Sequence, residues 1–260
     1  MIELDGGRLE SAWWGGDAGD APSLVLLHEG LGSVALWREF PQALAEKTGC
    51  GVFAWSRFGY GGSDPAPLPW PIDYMQREAL RNVPRVLDAT GVTRCILIGH
   101  SDGASIATIY AGSRQDFRVR GLVLLAPHFF VETVTRDSIA RIHAEYETSG
   151  LRTRLARYHA DPDIPFHGWS GAWLDPRFAA AFDLADELAQ IRVPILILQG
   201  SRDPYGTEAQ ARMAETRCTS PVRTVMVDAG HAPHLDAREA VLDVIAGFVD
   251  RIFRVHEHAC

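Results

Sequence analysis

The sequence predicts an α/β fold, built as a doubly wound and mostly parallel sheet with a helical segment inserted before its last two strands. Short, continuous apolar runs recur along the chain, as is typical of parallel strands buried on both faces. Segments with helical periodicity alternate with these runs, which indicates strand–helix–strand units around one sheet. The alternation is interrupted once, over residues 128–183, where the sequence predicts helices but no strand.

The predicted strands are identified by their apolar runs and by the turn residues that bound them. Residues 2–14 are typical of a hairpin, because short strand-like runs flank a turn at residues 5–7. A polar loop at residues 15–22 follows. Core strands suited to a parallel sheet are predicted at residues 23–28, 51–55, 95–98, 121–125, 194–199 and 222–227.

The predicted helices lie between these strands. Pro84 is expected to kink the predicted helix at residues 74–90, since proline cannot donate the helical hydrogen bond. The tail at residues 254–260 is expected to be frayed. Helices are predicted at residues 36–48, 74–90, 105–110, 208–216 and 237–253.

The segment at residues 128–183 predicts a helical cap over the carboxyl ends of the strands, where ligands bind in sheets of this kind. Residues 1–127 and 184–260 then form the core domain. The alternative is a long helical excursion that packs on one side of the sheet. The segment is rich in aromatic residues, namely Phe129, Phe130, Tyr146, Tyr158, Phe166, Trp169, Trp173, Phe178 and Phe182.

Composition bounds the class of protein. A chain of 260 residues suits one large α/β domain, and a net charge of -8 argues against nucleic acid or an anionic membrane as the main partner. The start of the chain lacks the pattern of a signal peptide, and no apolar run approaches the ~20 residues that span a bilayer, so a cytoplasmic location is expected. The sequence leaves monomer and homodimer open.

No metal or other cofactor is expected. The four cysteines are scattered without the paired spacing of a zinc site or a disulfide framework. His256 and His258 form a short pair in the tail, where a disordered terminus is a better interpretation than a metal site.

One stretch carries the strongest chemical signal. Residues 99–103 form a Gly-x-Ser-x-Gly pentapeptide between a predicted strand and a predicted helix. Glycines at its two ends leave room for a sharp turn, so Ser101 is expected at the apex of an elbow with its hydroxyl exposed. We therefore predict that Ser101 is a nucleophile.

A serine nucleophile needs a base and a group that orients the base. Two later strand ends supply both. Asp203 lies in the loop after the strand at residues 194–199, and His231 lies in the loop after the strand at residues 222–227. The order Ser101, Asp203, His231 predicts a catalytic triad. His234 is the alternative base, and His231 is preferred because a glycine precedes it.

The backbone N–H of Asp102 is the first predicted oxyanion donor, because it lies at the N-terminus of the helix after the elbow. The side chain of Asp102 is expected to cap that helix or to line the pocket. His100, on the other side of the nucleophile, is interpreted as a structural histidine.

The chain resembles the α/β-hydrolase fold superfamily over essentially the whole predicted core. The resemblance rests on Leu27-His28-Glu29-Gly30, the glycine loop at residues 59–63, the elbow at residues 99–103, Gly200-x-x-Asp203 and Gly230-His231. It implies a capped serine hydrolase in which Ser101 is the nucleophile, His231 the general base and then acid, and Asp203 the orienting carboxylate.

The same resemblance implies the second oxyanion donor. Alignment on His28 assigns this role to the N–H of Gly30. The chain departs from its relatives at Glu29, which occupies the usual glycine position. Because a carboxylate there would oppose a developing negative charge, Glu29 is expected to point away, towards an arginine such as Arg57.

One or two aromatic residues of the inserted segment are predicted to line an apolar pocket above Ser101, and the candidates are Phe129, Phe130, Trp169 and Trp173. The other aromatic residues are interpreted as the core of the cap. The expected substrate is a small molecule with an apolar or aromatic portion.

These features predict a serine hydrolase that cleaves a small carboxylic ester, thioester or lactone through an acyl-enzyme. The alternative on the same triad is a C–C bond hydrolase or a related lyase of aromatic or menaquinone-type metabolism. Dehalogenase and epoxide hydrolase activities are disfavoured, because those relatives carry aspartate where this chain has Ser101. A non-catalytic ligand receptor on the same fold is the alternative from another class.

Overall fold

The computed structural model describes residues 1–17 and 21–254. The middle of the predicted polar loop, the tail after residue 254 and its histidine pair lie outside the described residues. The strands are β1 Ile2–Leu4, β2 Gly7–Leu9, β3 Ser11–Trp14, β4 Ser23–Leu27, β5 Gly51–Trp55, β6 Cys95–His100, β7 Val119–Leu125, β8 Ile195–Gly200 and β9 Val222–Val227.

The helices that accompany them are α1 Phe40–Thr48, α2 Tyr74–Arg77, α3 Val83–Ala89, α4 Asp102–Arg114, α5 Thr133–Ala144, α6 Leu151–Leu155, α7 Asp163–Leu174, α8 Pro176–Ala181, α9 Ala185–Gln190, α10 Glu208–Arg217, α11 Pro233–Asp236 and α12 Arg238–Arg254. In the described ranges, no helix combines the length and the hydrophobicity needed to cross a bilayer.

One sheet organises the molecule. Within the described chain it has seven strands in the order β3-β5-β4-β6-β7-β8-β9, and every neighbouring pair except β3–β5 is parallel. The predicted fold class is therefore confirmed. The predicted hairpin is divided, since β1 pairs with β2 while β3 joins the edge of the large sheet.

Alternation of side chains along the central strands produces two cores, one on each face of the sheet. Val25 and Leu27 of β4 face one core, to which α3, α4 and α9 contribute. Leu24 and Leu26 face the other core, which is closed by α1 and α12. All four side chains are buried, which explains why the strand is one continuous apolar run.

Two predicted helices are interrupted for identifiable reasons. The first is a 3₁₀ turn at Val34–Trp37 followed by α1, and the break falls at Arg38, which has a φ of 54°. The second contains a π turn at Glu78–Asn82 between α2 and α3. The irregular turn comes just before Pro84, whose missing N–H removes one helical hydrogen bond.

The inserted helices, defined here as α5–α8, connect β7 to the short helix α9 that leads into β8. The two ends of this segment meet, because Phe130 pairs with Asp183 in an isolated antiparallel bridge and the N–H of Leu184 donates to the carbonyl of Phe129 at 2.8 Å. The insertion thus leaves and re-enters the core at one place beside the carboxyl end of β7.

Gly112 marks a close approach of α4 to α9, because a Cβ there would overlap the main-chain carbonyl of Glu187. We expect Gly112→Ala to lower the free energy of unfolding by about 1–3 kcal/mol, measured by urea denaturation. Gly247 of α12 is the control, since open space surrounds it. Gly247→Ala is expected to raise stability by about 0.5–1 kcal/mol. A Gly112→Ala variant as stable as the wild type would contradict this packing.

Candidate active site

Ser101 lies at the turn between β6 and α4. Its φ of 53° and ψ of -116° place it in a conformation that residues with side chains rarely adopt. The turn is possible because its flanking glycines carry no Cβ: one at Gly99 would overlap the main chain of Gly103, and one at Gly103 would overlap the carbonyl of Leu27. The glycines of the pentapeptide therefore allow α4 to press against the end of β4.

Asp203 and His231 meet at the carboxyl ends of β8 and β9. The Nδ1 atom of His231 lies 2.9 Å from both carboxylate oxygens of Asp203, whose side chain is almost fully buried. The N–H of Tyr205 and the side-chain amide of Gln199 also donate to this carboxylate. Burial alone would raise the pKa of Asp203, but these hydrogen bonds outweigh it and hold the pKa below its ordinary value.

His234, the alternative base, lies elsewhere. Its ring is buried against Trp37, Phe40 and His100, and burial lowers its pKa well below the ordinary value. It makes no hydrogen bond with Asp203 in the described part of the chain. The structure thus brings His231, and not His234, to the predicted acid.

Ser101 and His231 face one cavity of about 150 Å³ beneath the inserted helices. Helices α5 and α7 supply its roof, and the loops after β4, β6, β7, β8 and β9 supply its floor. The cavity is lined by Glu29, Gly30, Leu31, Ser101, Asp102, His128, Thr135, Ile139, Ile142, Trp169, Trp173, Tyr205 and His231.

The two predicted oxyanion donors, the N–H groups of Gly30 and Asp102, belong to residues that line this cavity. Neither donates a hydrogen bond to another group within residues 1–17 and 21–254. The N–H of Asp102 is at the N-terminus of α4, where the helix dipole favours negative charge. Both groups are therefore available to a ligand oxygen.

The peptide group that carries the Gly30 N–H is held from behind. Its carbonyl, that of Glu29, accepts from Nη2 of Arg57 at 3.0 Å, from the N–H of Gly32 at 3.1 Å and from Nδ1 of His28 at 2.8 Å. His28 is the donor because its Nε2 accepts from the N–H of Arg57. Three donors on one carbonyl fix this peptide and polarise its N–H.

Two aromatic side chains complete the support of this loop. The hydroxyl of Tyr60 donates to the carbonyl of Gly30 at 3.0 Å. On the cavity side, the indole of Trp169 occupies the space that a Cβ of Gly30 would take. Glycine is therefore required at position 30 for α7 to pack on the loop.

The expectation that Glu29 points towards Arg57 is wrong. Arg57 instead bonds the main-chain carbonyls of His28 and Glu29, and it lies 4.0 Å from the carboxylate of Asp102. The carboxylate of Glu29 lies 3.6 Å from Nδ1 of His100, in space left by Gly32. Burial would raise the pKa of Glu29, but His100 holds it well below its usual range, so the carboxylate is ionised.

His100 also contacts the loop of the predicted base, since its Nε2 lies 2.7 Å from the carbonyl of His231. It therefore lies between two acceptors, the carboxylate of Glu29 and the carbonyl of His231. These contacts agree with the interpretation of His100 as a structural residue, and they show that it joins the loop after β4 to the loop after β9.

The side chain of Asp102 is fully buried and joins α4 to the inserted helices. It accepts from the hydroxyl of Tyr74 at 2.5 Å and from Nε1 of Trp173 at 3.2 Å. Burial raises its pKa above the ordinary value, although Arg57 and the two hydrogen bonds oppose the shift. The residue that carries one N–H of the site is thus anchored to α7.

Two of the four predicted pocket residues line the cavity and two do not. Trp169 and Trp173 line it from α7. Phe129 and Phe130 do not: Phe129 is completely buried in the core, and the main-chain N–H groups of both residues are bound by the side chain of Gln210. The hydrogen bonds that close the base of the insertion hold them below the cavity.

The sequence analysis missed His128, which lines the cavity with its ring 5.6 Å from that of His231. Its position in the loop after β7 could have identified it, because Asp203 and His231 were predicted from their positions in the loops after β8 and β9. Ile139 and Ile142 of α5 were also missed. Among the described residues, no group of three or more His, Cys, Asp or Glu side chains is arranged to hold a metal ion.

Comparison with known proteins gives a consistent result. Residues 24–244 match the model of the alpha/beta hydrolase family. Epoxide hydrolase 3 of Xenopus tropicalis is 23% identical over 91% of this chain and 74% of its own length. The 3-oxoadipate enol-lactonase 1 of Acinetobacter baylyi is 23% identical over 90% of both chains. The solved enol-lactonase of Burkholderia xenovorans LB400 has a TM-score of 0.72 at 23% identity, covering 95% of this chain and 98% of its own.

The likeness to the solved structure concerns the fold. The match to the family model runs from β4 to α12, so it includes Ser101, Asp203 and His231. The chain belongs to the α/β-hydrolase family of enzymes.

Proposed function

We propose that this enzyme is a serine hydrolase that cleaves a small carboxylic ester, thioester or lactone, with Ser101, His231 and Asp203 as its triad. The observation that carries the proposal is the Asp203–His231 pair, which is joined at 2.9 Å and whose histidine lines the same cavity as the serine of the elbow. A carboxylate on Nδ1 leaves Nε2 of the imidazole to take the proton of a hydroxyl.

In the first half of the reaction, Oγ of Ser101 attacks the substrate carbonyl while His231 removes its proton. The carbonyl oxygen becomes an oxyanion, which accepts hydrogen bonds from the N–H groups of Gly30 and Asp102. Donors of this kind contribute about 2.7–4 kcal/mol each to stabilising the transition state. The C–O or C–S bond then breaks, and His231 returns its proton to the leaving alcohol or thiol.

In the second half, His231 removes a proton from water, and the resulting hydroxide attacks the acyl carbon. The ester bond to Ser101 breaks, and His231 reprotonates the serine. Asp203 remains ionised throughout, because its hydrogen bonds favour the carboxylate. Its role is to orient the imidazole and to stabilise the imidazolium that forms in each half.

Similarity is compatible with ester or lactone chemistry, although proline iminopeptidases of Lactobacillus delbrueckii are also among the relatives. Both an amino-acid sequence relative and a solved structure are enol-lactonases, and another structural neighbour is an esterase from a Rhodococcus species. The epoxide hydrolase relative is less informative, because this chain has serine at the elbow. The cavity of about 150 Å³ has room for about five groups the size of water, so a compact acyl chain fits best.

The proposal predicts hydrolysis of p-nitrophenyl esters by the wild type, with kcat/KM highest for a short acyl chain in a C2 to C12 series. Ser101→Ala is expected to lower kcat about 10⁶-fold, since it removes the nucleophile. Ser113→Ala is the matched control in the same helix, because that side chain is exposed. It should retain full activity.

The outcome that would sink the proposal is a folded wild type that hydrolyses no ester and is not labelled by a fluorophosphonate. Labelling without ester turnover would indicate a narrow substrate instead. The C–C bond alternative would then be tested next.

Tyr60→Phe tests the oxyanion hole without touching the triad. Loss of the hydroxyl frees the Gly30 carbonyl, so the N–H on the same loop is less well placed. We expect kcat to fall about 3–10-fold while KM changes less than about twofold. Tyr110→Phe is the control, since its hydroxyl bonds Asp116 far from the cavity. Equal kcat values for Tyr60→Phe and the wild type would show that this tether is not needed.

A further inference from the structure

His128 is a buried histidine in the cavity that the triad does not use. It follows β7 by three residues, and its ring packs edge-on against Trp173, with the centroids 5.4 Å apart. Only 2% of the residue is exposed to solvent. It nevertheless lines the cavity that contains Ser101 and His231.

The ring of His128 has no polar partner. Within the described chain, no side chain or main-chain group forms a hydrogen bond with either nitrogen. Nδ1 is buried without a partner and lies on the side of Gly206. Nε2 also has no hydrogen-bond partner among the described residues, and His128 as a whole lines the cavity.

His128 is not a second general base. Among the described residues, no carboxylate forms a hydrogen bond with its ring, whereas Asp203 bonds Nδ1 of His231. Burial and the neighbouring His231 lower the pKa of His128 to about 3, against a smaller opposite effect of Asp203, so the ring is neutral in ordinary buffers. A neutral imidazole offers either an N–H donor or a lone pair to a ligand.

A substrate with a plain alkyl chain would displace water from the ring of His128 without offering a hydrogen bond in return. An unpaired polar group of this kind weakens binding by about tenfold or more. A substrate with a matching polar group would avoid that loss, and sites built to pair with a hydroxyl reject analogues that lack it.

We propose that His128 is a substrate-binding residue that hydrogen-bonds a hydroxyl group close to the scissile carbonyl, so that the preferred substrate is a compact hydroxy-substituted ester or lactone. The inference rests on the proposed function and specifies its substrate class. A hydroxyl suits the site because it can donate or accept, whichever tautomer His128 adopts.

A carboxylate in the same place is disfavoured by charge. Glu29 is ionised and lines the cavity, while no lysine or arginine lines it among the described residues. The nearest buried cation, Arg57, is bound to main-chain carbonyls and to Asp102. An anionic substrate group would therefore meet a negative charge with no free positive one.

The test compares p-nitrophenyl butyrate with the 2- and 3-hydroxybutyrate esters. In the wild type, kcat/KM for at least one hydroxy ester should exceed that for butyrate by about tenfold or more. In His128→Phe, which keeps a flat ring against Trp173, this preference should fall to about one. The preference is a ratio of two kcat/KM values measured on one protein, so a change in activity towards both esters does not alter it.

Thr135→Val is the matched control. Thr135 also lines the cavity, but its hydroxyl already donates to the carbonyl of Tyr205 at 2.5 Å. It should keep the wild-type preference. A wild type that prefers butyrate, or a preference that survives in His128→Phe, would overturn the proposal.

Binding separates this proposal from the proposed function. Calorimetry with butyramide and the 2- and 3-hydroxybutyramides needs no turnover. If esters are not hydrolysed but a hydroxy amide binds the wild type more tightly than His128→Phe, the catalytic proposal fails and the role of His128 stands. If esters are hydrolysed and the amides bind both proteins equally, only the role of His128 fails.

Discussion

The close approach of α4 to the end of β4 is the constraint on which the rest of the site depends. Gly103 lies against the carbonyls of Leu27 and His28, where no side chain fits. This contact forces the positive φ of Ser101 and brings the N-terminus of α4 beside the loop at residues 28–30. The proposed nucleophile and the two proposed oxyanion donors therefore come together because two main chains touch, before any other side chain contributes.

Buried polar groups then fix that arrangement. Arg57 and Tyr60 hold the carbonyls of the loop at residues 28–30, while Tyr74 and Trp173 hold the carboxylate of Asp102. Each hydrogen bond contributes on the order of 1 kcal/mol, and a group left unpaired would cost more. Because Trp173 belongs to α7, the inserted helices are linked directly to Asp102. The roof and the floor of the cavity therefore share one network of hydrogen bonds.

Features that depend on order and periodicity were predictable from the sequence, and features that depend on side-chain direction were not. Asp203 and His231 were predicted because they lie in loops at the carboxyl ends of strands, and the same reasoning would have found His128. Trp169 and Trp173 are four residues apart in a helix and so share a face. The direction of Glu29 was predicted wrongly because the prediction considered only the charge that the carboxylate would oppose, and Arg57 was then the expected partner. Only the placement of β6 beside β4 reveals that His100 is closer and that main-chain carbonyls already occupy Arg57.

The central proposal is that Ser101 attacks a substrate carbonyl whose oxygen accepts hydrogen bonds from two main-chain N–H groups. A crystal structure of the enzyme after reaction with a small alkyl fluorophosphonate tests it most directly. The phosphorus should be bonded to Oγ of Ser101, with its free oxygen about 2.7–3.1 Å from the nitrogens of both Gly30 and Asp102. A phosphoryl oxygen that points away from either nitrogen, or a phosphorus bonded to another residue, would contradict the claim.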